Sequence, residues 1–104
     1  MISAKQACIQ ATPRAEALLS ELLGTSFDVL AALPELSTLH LEEYGKPTAL
    51  TTYRDKGADG SIRVVVQLAV SGWLGSARFW VQGFNLKKGG VPVRLSPEQL
   101  YDFH

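Results

Sequence analysis

The sequence predicts a single α+β domain over residues 1–104, with two or three N-terminal helices packed on a four- to five-stranded antiparallel meander sheet and a short C-terminal helix. Apolar residues recur with a helical period as far as Pro34. Beyond Pro34 the period changes to two, and β-branched and aromatic residues become frequent, as in strands. Short turns join these later segments, which favours antiparallel pairing because a parallel connection needs a crossover of about a dozen residues or more.

The helical part divides into two or three predicted pieces. Ser3 and Gln6 have the spacing of a capping box, and small apolar residues follow at helical intervals, so a short first helix is expected. Thr12 and Pro13 are expected to start a second helix, because proline is tolerated at a first helical position. A third, shorter helix is predicted over residues 27–33. The second helix carries the clearest apolar stripe: Ala15, Leu18, Leu19, Leu22 and Leu23.

The strand part contains five predicted segments, at residues 38–44, 48–54, 61–70, 78–86 and 91–95. The third segment has apolar residues at five consecutive alternate positions and is therefore predicted to be the central strand. A glycine-rich turn over residues 71–76 leads to the fourth segment, where Gly83 indicates a bulge or bend. Ser96 and Gln99 repeat the capping-box spacing and predict a final helix over residues 97–103.

Composition bounds the class of protein. With 46% hydrophobic and 19% charged residues the chain resembles ordinary globular domains. No apolar stretch approaches the about 20 residues that a membrane-spanning helix needs. The first residues lack the basic flank and apolar core of a secretory signal, and the lone cysteine, Cys8, cannot form an intramolecular disulfide. These observations predict a cytoplasmic protein that does not enter the membrane.

Charge is balanced overall but unevenly distributed. Ten basic and ten acidic residues cancel, so the molecule has no long-range field to concentrate a nucleic acid. Residues 1–52 hold three basic and six acidic side chains, whereas residues 53–104 hold seven basic and four acidic ones. The sequence therefore predicts acidic helices and a basic sheet.

Motifs for catalysis, cofactors and metals are missing from the sequence. It contains no glycine-rich nucleotide motif, no C-x-x-C and no H-E-x-x-H, so neither a cofactor nor a metal site is predicted. His40 and Glu42 share one face of a predicted strand, which would allow a carboxylate to orient an imidazole. The simpler interpretation is a solvated strand face, and Cys8 is interpreted as a small buried hydrophobe. The sequence leaves enzyme activity open and favours its absence.

One mixed polar and aromatic surface is the candidate interaction site. If the apolar positions of the central strand face the core, the next strand can place its own alternate residues beside the outward ones. Arginine and tryptophan are enriched where partners bury a surface. The alternative, equally weighted, is that Trp80 and Phe84 belong to the core while Phe79 and Val81 pack elsewhere. The candidate surface consists of Arg63, Val65, Gln67, Arg78, Trp80 and Gln82.

Three functions remain open at this point. The leading hypothesis is a non-catalytic binding or regulatory module that self-associates through a sheet face, most simply as a homodimer, because closed dimers are the commonest oligomers. The alternative is a small enzyme or ligand-binding protein with a pocket between helices and sheet. The third is single-stranded nucleic-acid binding through Arg63, Arg78, Trp80 and Lys87, which the zero net charge disfavours.

Overall fold

The computed structural model describes residues 3–43, 45–72 and 77–104, and in this part of the chain it has one long helix, one short helix and five strands. A short 3-10 helix, Tyr101–Phe103, stands in place of the predicted C-terminal helix. The predicted end of the first strand at Tyr44 and residues 73–76 of the predicted turn lie outside the described residues. In order, the elements are α1 (Ala4–Leu23), α2 (Phe27–Ala31), β1 (Leu36–Glu43), β2 (Lys46–Lys56), β3 (Ile62–Ser71), β4 (Ala77–Leu86) and β5 (Val93–Arg94).

The prediction of two or three N-terminal helices is wrong, because α1 continues through Pro13. The capping box at its start is confirmed. The backbone amide of Gln6 donates to Ser3 Oγ at 3.2 Å, and the backbone amide of Ser3 donates to Gln6 Oε1 at 3.3 Å. Pro13 cannot donate to the carbonyl of Ile9, but Ile9 is exposed and water can take that place. A continuous buried stripe from Ala7 to Leu22 lies on the sheet, and its burial outweighs the one lost hydrogen bond.

The five strands form one antiparallel meander in the order β1-β2-β3-β4-β5. The antiparallel sheet and the central position of β3 are therefore confirmed. Each strand pairs with its neighbours in sequence, and Val66, in the middle of β3, lies between Thr52 of β2 and Gln82 of β4. Arg54 Nε donates to the carbonyl of Leu33 at 3.0 Å and so holds the segment after α2 against β2.

The two faces of the sheet are covered differently. On the helix face, α1 packs mainly on β3 and β4, where Phe84 and the alternate β3 residues from Ile62 to Val70 are fully buried. The opposite face, here called the second face, has a smaller cluster in which the C-terminal segment, residues 95–103, covers Val65 and Val81. The sheet is thus a layer between a helix and a short segment of irregular chain.

Gly83 does not produce the expected bulge. The pairing of β3 with β4 runs without interruption from Ile62 opposite Leu86 to Ser71 opposite Ala77. A Cβ atom at Gly83 would lie 2.5 Å from the carbonyl oxygen of Val64 and 3.0 Å from Leu95 Cδ1. Glycine is therefore required by close approach: the neighbouring strand and the C-terminal segment leave no room for a side chain.

Candidate interaction surface on strand β4

The six residues predicted to form one surface lie on two faces of the sheet. Residues directly opposite each other in an antiparallel pair share a face. Gln82 lies opposite Val66, Trp80 opposite Leu68 and Arg78 opposite Val70, so these three belong to the helix face. The predicted single face is wrong for this reason, and the alternative that directs Trp80 and Phe84 towards the core describes the structure. Arg63, Val65 and Gln67 lie on the second face, as predicted.

The second-face residues are engaged by the chain's own C-terminal segment. Gln67 Nε2 donates to the carbonyl of Phe103, and the Tyr53 hydroxyl donates to Gln67 Oε1 at 3.1 Å. The rings of Tyr53 and Phe103 meet edge to face with centroids 4.9 Å apart. Arg63 pairs with Asp55 and lies 5.4 Å from the centroid of the Phe103 ring. This half of the predicted surface therefore binds the C-terminal segment within the same chain.

The helix-face residues lie beside α1 at the margin of the sheet. Trp80 is partly buried against the core, and Arg78 is exposed. Arg78 is close enough to Cys8 for its charge to act on the thiol: burial raises the pKa of Cys8, and the guanidinium opposes that shift. A recess of about 290 Å³ opens beside these residues, lined by Glu16, Leu19, Ser20, Trp80, Gln82 and Arg94.

The outer edge of β4 is open over half its length. β5 pairs with β4 only at Phe84 and Asn85, and the amide of Leu95 donates to the carbonyl of Gly83 at 3.0 Å. Ahead of Gly83, no described strand pairs with this edge. Backbone N–H and C=O groups alternate in direction along a strand. Those of residues 77, 79 and 81 therefore point outward in the plane of the sheet, away from β3, as the carbonyl of Gly83 does. We call Ala77–Val81 the β4 edge.

A second recess lies on the other side of the β4 edge. It also measures about 290 Å³ and is lined by residues of β4 and of the C-terminal segment: Phe79, Trp80, Val81, Gln82, Leu95, Pro97, Leu100 and His104. Phe79 stands on the second face with 41% of its surface exposed. The open backbone is therefore flanked by a recess on each face, and large aromatic side chains lie at both. The surface predicted from the sequence included Trp80 but not Phe79 or Glu16. Apolar side chains at both the odd and the even positions of β4 are the pattern that indicates an aromatic residue on each face.

The opposite edge of the sheet, β1, is open as well and differs in chemistry. Leu36 and Leu39 are exposed there, and the strand also carries His40 and Glu42 in exposed positions. Charged side chains on an edge strand oppose pairing with another chain. Each edge carries an exposed charge, Glu42 on β1 and Arg78 on β4, and the β4 edge differs in carrying the aromatic side chains Phe79 and Trp80.

Chemistry for catalysis is sparse in the described part of the molecule. Among the described residues, no three His, Cys, Asp or Glu side chains lie close enough together to hold a metal ion. His40 and Glu42 both stand on the second face of β1 and are exposed. Cys8 is a buried residue of α1, and its raised pKa disfavours the thiolate that a nucleophile needs. Asp59 is an exposed turn residue, and hydrogen bonds from Ser61 hold its pKa below the ordinary value.

The surface predicted for nucleic acid is also divided. Arg63 lies on the second face and Arg78 and Trp80 on the helix face, so a single strand cannot run over all three. Lys87 lies 3.9 Å from the Asp59 carboxylate, which offsets its charge. A cavity of about 360 Å³ does occur between the α1–α2 turn and the loop after β4, lined by Phe27, Lys87 and neighbouring residues.

Comparisons with known proteins give no relative for this chain: no family model, no curated protein and no solved structure matches it. Of the helices in the described ranges, none combines the length and the apolar character needed to cross a membrane. The β4 edge and its two recesses are therefore the candidate functional site of the described residues.

Proposed function

We propose that this chain is a non-catalytic association module that binds a second copy of itself through the β4 side of the sheet. The observation that carries the proposal is the backbone of Ala77–Val81, whose outer side no described strand pairs with, together with the recess on each face. Unpaired strand edges bind other strands readily, because each outward N–H and C=O can form a hydrogen bond with a neighbouring chain.

The side chains at this edge support association. Phe79 and Trp80 alternate between the two faces, so an added chain would contact an aromatic ring on either side of its backbone. Aromatic residues and arginine dominate the binding energy of many interfaces, and Arg78 directly precedes the two rings in sequence. The second face nearby is already covered by the C-terminal segment, which leaves the edge as the accessible part of the predicted surface.

Sedimentation over a concentration series tests this proposal. The wild-type chain is expected to shift from monomer to dimer as its concentration rises. Phe79→Glu, which places a charge at the β4 edge, should remain monomeric with an unchanged circular dichroism spectrum. Leu39→Glu is the matched control, because Leu39 is an exposed apolar residue on the opposite edge strand, and its dimer should persist. A wild-type chain that stays monomeric at high micromolar concentration would rule out the proposal.

A further inference from the structure

The hydrogen-bonding pattern of β4 limits how two copies can pair. A two-fold axis perpendicular to the sheet makes the added strand antiparallel and keeps each residue on its own face, so odd positions must meet odd positions and even positions even ones. Outward backbone groups are available at residues 77, 79 and 81. The carbonyl of Gly83 already accepts from Leu95.

Two registers can be compared on this basis. An axis at Trp80 would place Ala77 of one copy opposite Gly83 of the other, whose carbonyl already accepts the bond from Leu95. An axis at Phe79 places Ala77 of one copy opposite Val81 of the other, and Phe79 opposite Phe79 of the other copy. That register uses only the unpaired residues of the β4 edge, and every hydrogen bond occurs twice by symmetry. Of these two registers, only the axis at Phe79 leaves the bond from Leu95 to Gly83 intact.

Side chains on the helix face agree with this register. With the axis at Phe79, Arg78 of each copy lies directly opposite Trp80 of the other, where Cβ atoms are about 5 Å apart. A guanidinium beside an indole ring is a favourable cation–π arrangement. Glu16 lines the same recess as Trp80, so the arginine also approaches a carboxylate of opposite charge.

From this geometry we infer that two copies join their sheets by antiparallel pairing of Ala77–Val81, with Arg78 of each copy lying between Trp80 and Glu16 of the other. The inference rests on the self-association proposed above and specifies its contact. The chain carries both the basic group and its acidic partner, so one surface is complementary to itself. A homodimer satisfies this pattern twice, once on each side of the axis.

Exposed apolar surface is covered in the same arrangement. Phe79 and its mate meet on the second face, beside the recess bounded by Leu95 and Leu100. The result is one sheet in which strands β1–β4 of both copies are continuous across the axis, with each β5 beside the C-terminal end of its own β4. Arg94 lines the recess with Glu16, so the acid also has a cation near it in the free chain. For that reason a rescue between two variants is a better test than removal of Glu16 alone.

Charge reversal provides the first experiment. Arg78→Glu and Glu16→Arg each place like charges at the contact, and each variant alone should dimerise with a dissociation constant raised about tenfold or more. Mixed in equal amounts, the two variants should form a heterodimer, because the carboxylate introduced by Arg78→Glu in one chain then meets the guanidinium introduced by Glu16→Arg in the other. The reverse pair keeps the wild-type residues. Native mass spectrometry separates the heterodimer from both homodimers by mass.

Two matched controls accompany the charge reversals. Glu21→Arg reverses an exposed acid on the same helix, about 140° around the helix axis from Glu16 and so away from the recess. Lys88→Glu reverses an exposed base in the loop after β4. Both should dimerise like the wild type, and a mixture of these two should show no preference for the heterodimer.

A disulfide at the axis is the second experiment. Opposite residues of a hydrogen-bonded pair have Cα atoms about 5.5 Å apart, which a disulfide can span. In a Cys8→Ala background, Phe79→Cys should form an intermolecular disulfide under mild oxidation. Ala69→Cys is the control: it lies beside Phe79 on the second face, one strand further in, so its mate is about 14 Å away. That pair should stay reduced.

The outcomes separate this inference from the proposed function. Heterodimer rescue together with cross-linking at position 79 supports the inference. A wild-type dimer that shows neither overturns the inferred contact and leaves self-association standing through another surface. A monomeric wild type overturns both. The circular dichroism spectrum of each variant should match that of the wild type, because Arg78, Phe79 and Glu16 are all exposed. A matching spectrum shows that loss of the dimer is not caused by unfolding.

Discussion

The two faces of the sheet are stabilised by different means. The helix face holds a continuous aliphatic layer, including Ile62, Leu68 and Phe84, buried under a 20-residue helix. The second face holds a four-residue buried cluster, and specific polar contacts at Gln67 and Arg63 position its cover. The comparison indicates that the helix face supplies most of the stability, whereas the second face determines how the C-terminal segment sits.

Phe84→Ala should have the largest effect on this comparison. Phe84 is fully buried between the sheet and α1, and a truncated ring would leave a cavity that the rigid sheet cannot close. We expect the free energy of unfolding to fall by about 3–5 kcal/mol. Urea denaturation followed by circular dichroism measures it. A loss below about 1 kcal/mol would mean that Phe84 is not part of the main core.

Leu100→Ala should have a smaller effect. Leu100 is buried on the second face, but it belongs to a short irregular segment that can relax into the vacated space. We expect a loss of about 2 kcal/mol, at the low end of the range for leucine truncation. Hydrogen exchange should show faster exchange in residues 95–103 and little change in α1. Equal acceleration of both regions would contradict the division between the two faces.

Arg63→Ala should have the smallest effect. Its ion pair with Asp55 is partly exposed on both sides, and such pairs contribute at most about 1 kcal/mol. Its position by the Phe103 ring adds a contact that is likewise exposed to solvent. The unfolding free energy should fall by about 1 kcal/mol or less, and the effect should shrink further at high salt. A larger loss, independent of salt, would show that Arg63 acts as a core residue.

The features predicted correctly from the sequence are those determined by neighbouring residues. The capping box at Ser3 and Gln6 forms as expected, and at the other end the Ser96 amide donates to Gln99 Oε1 at 2.8 Å. The antiparallel meander with β3 at its centre follows from short connections and an unbroken apolar alternation. Burial of Cys8 is also confirmed. Each of these depends on a period or a spacing of a few residues.

The face assignment of β4 could not be predicted from its own residues. Phe79 and Val81 occupy one set of alternate positions, and Trp80 and Phe84 occupy the other, so the alternation gives no preferred phase. The phase is determined by the segments that pack on each face. α1 packs over Phe84 on one face, and on the other the C-terminal segment can approach β4 because Gly83 has no side chain. Those contacts join residues distant in sequence, which no local pattern encodes.

The predicted break between two helices at Pro13 is wrong for a related reason. Proline inside a helix costs about 3 kcal/mol, so a break at Pro13 was the local expectation. The helix continues because the residues before and after Pro13 lie on the same part of the sheet, with Ala11 and Ala15 both buried. Tertiary packing outweighs the local preference here.

The position of α1 also has a consequence for the order of folding. α1 is first in the sequence, but its apolar stripe packs mainly on β3 and β4, which are separated from it by α2, β1 and β2. The strands, in contrast, pair only with sequence neighbours, and such local contacts form with little loss of chain entropy. We therefore expect the hairpin of β3 and β4 to form first and α1 to pack on it late, in a process that starts in the middle of the chain.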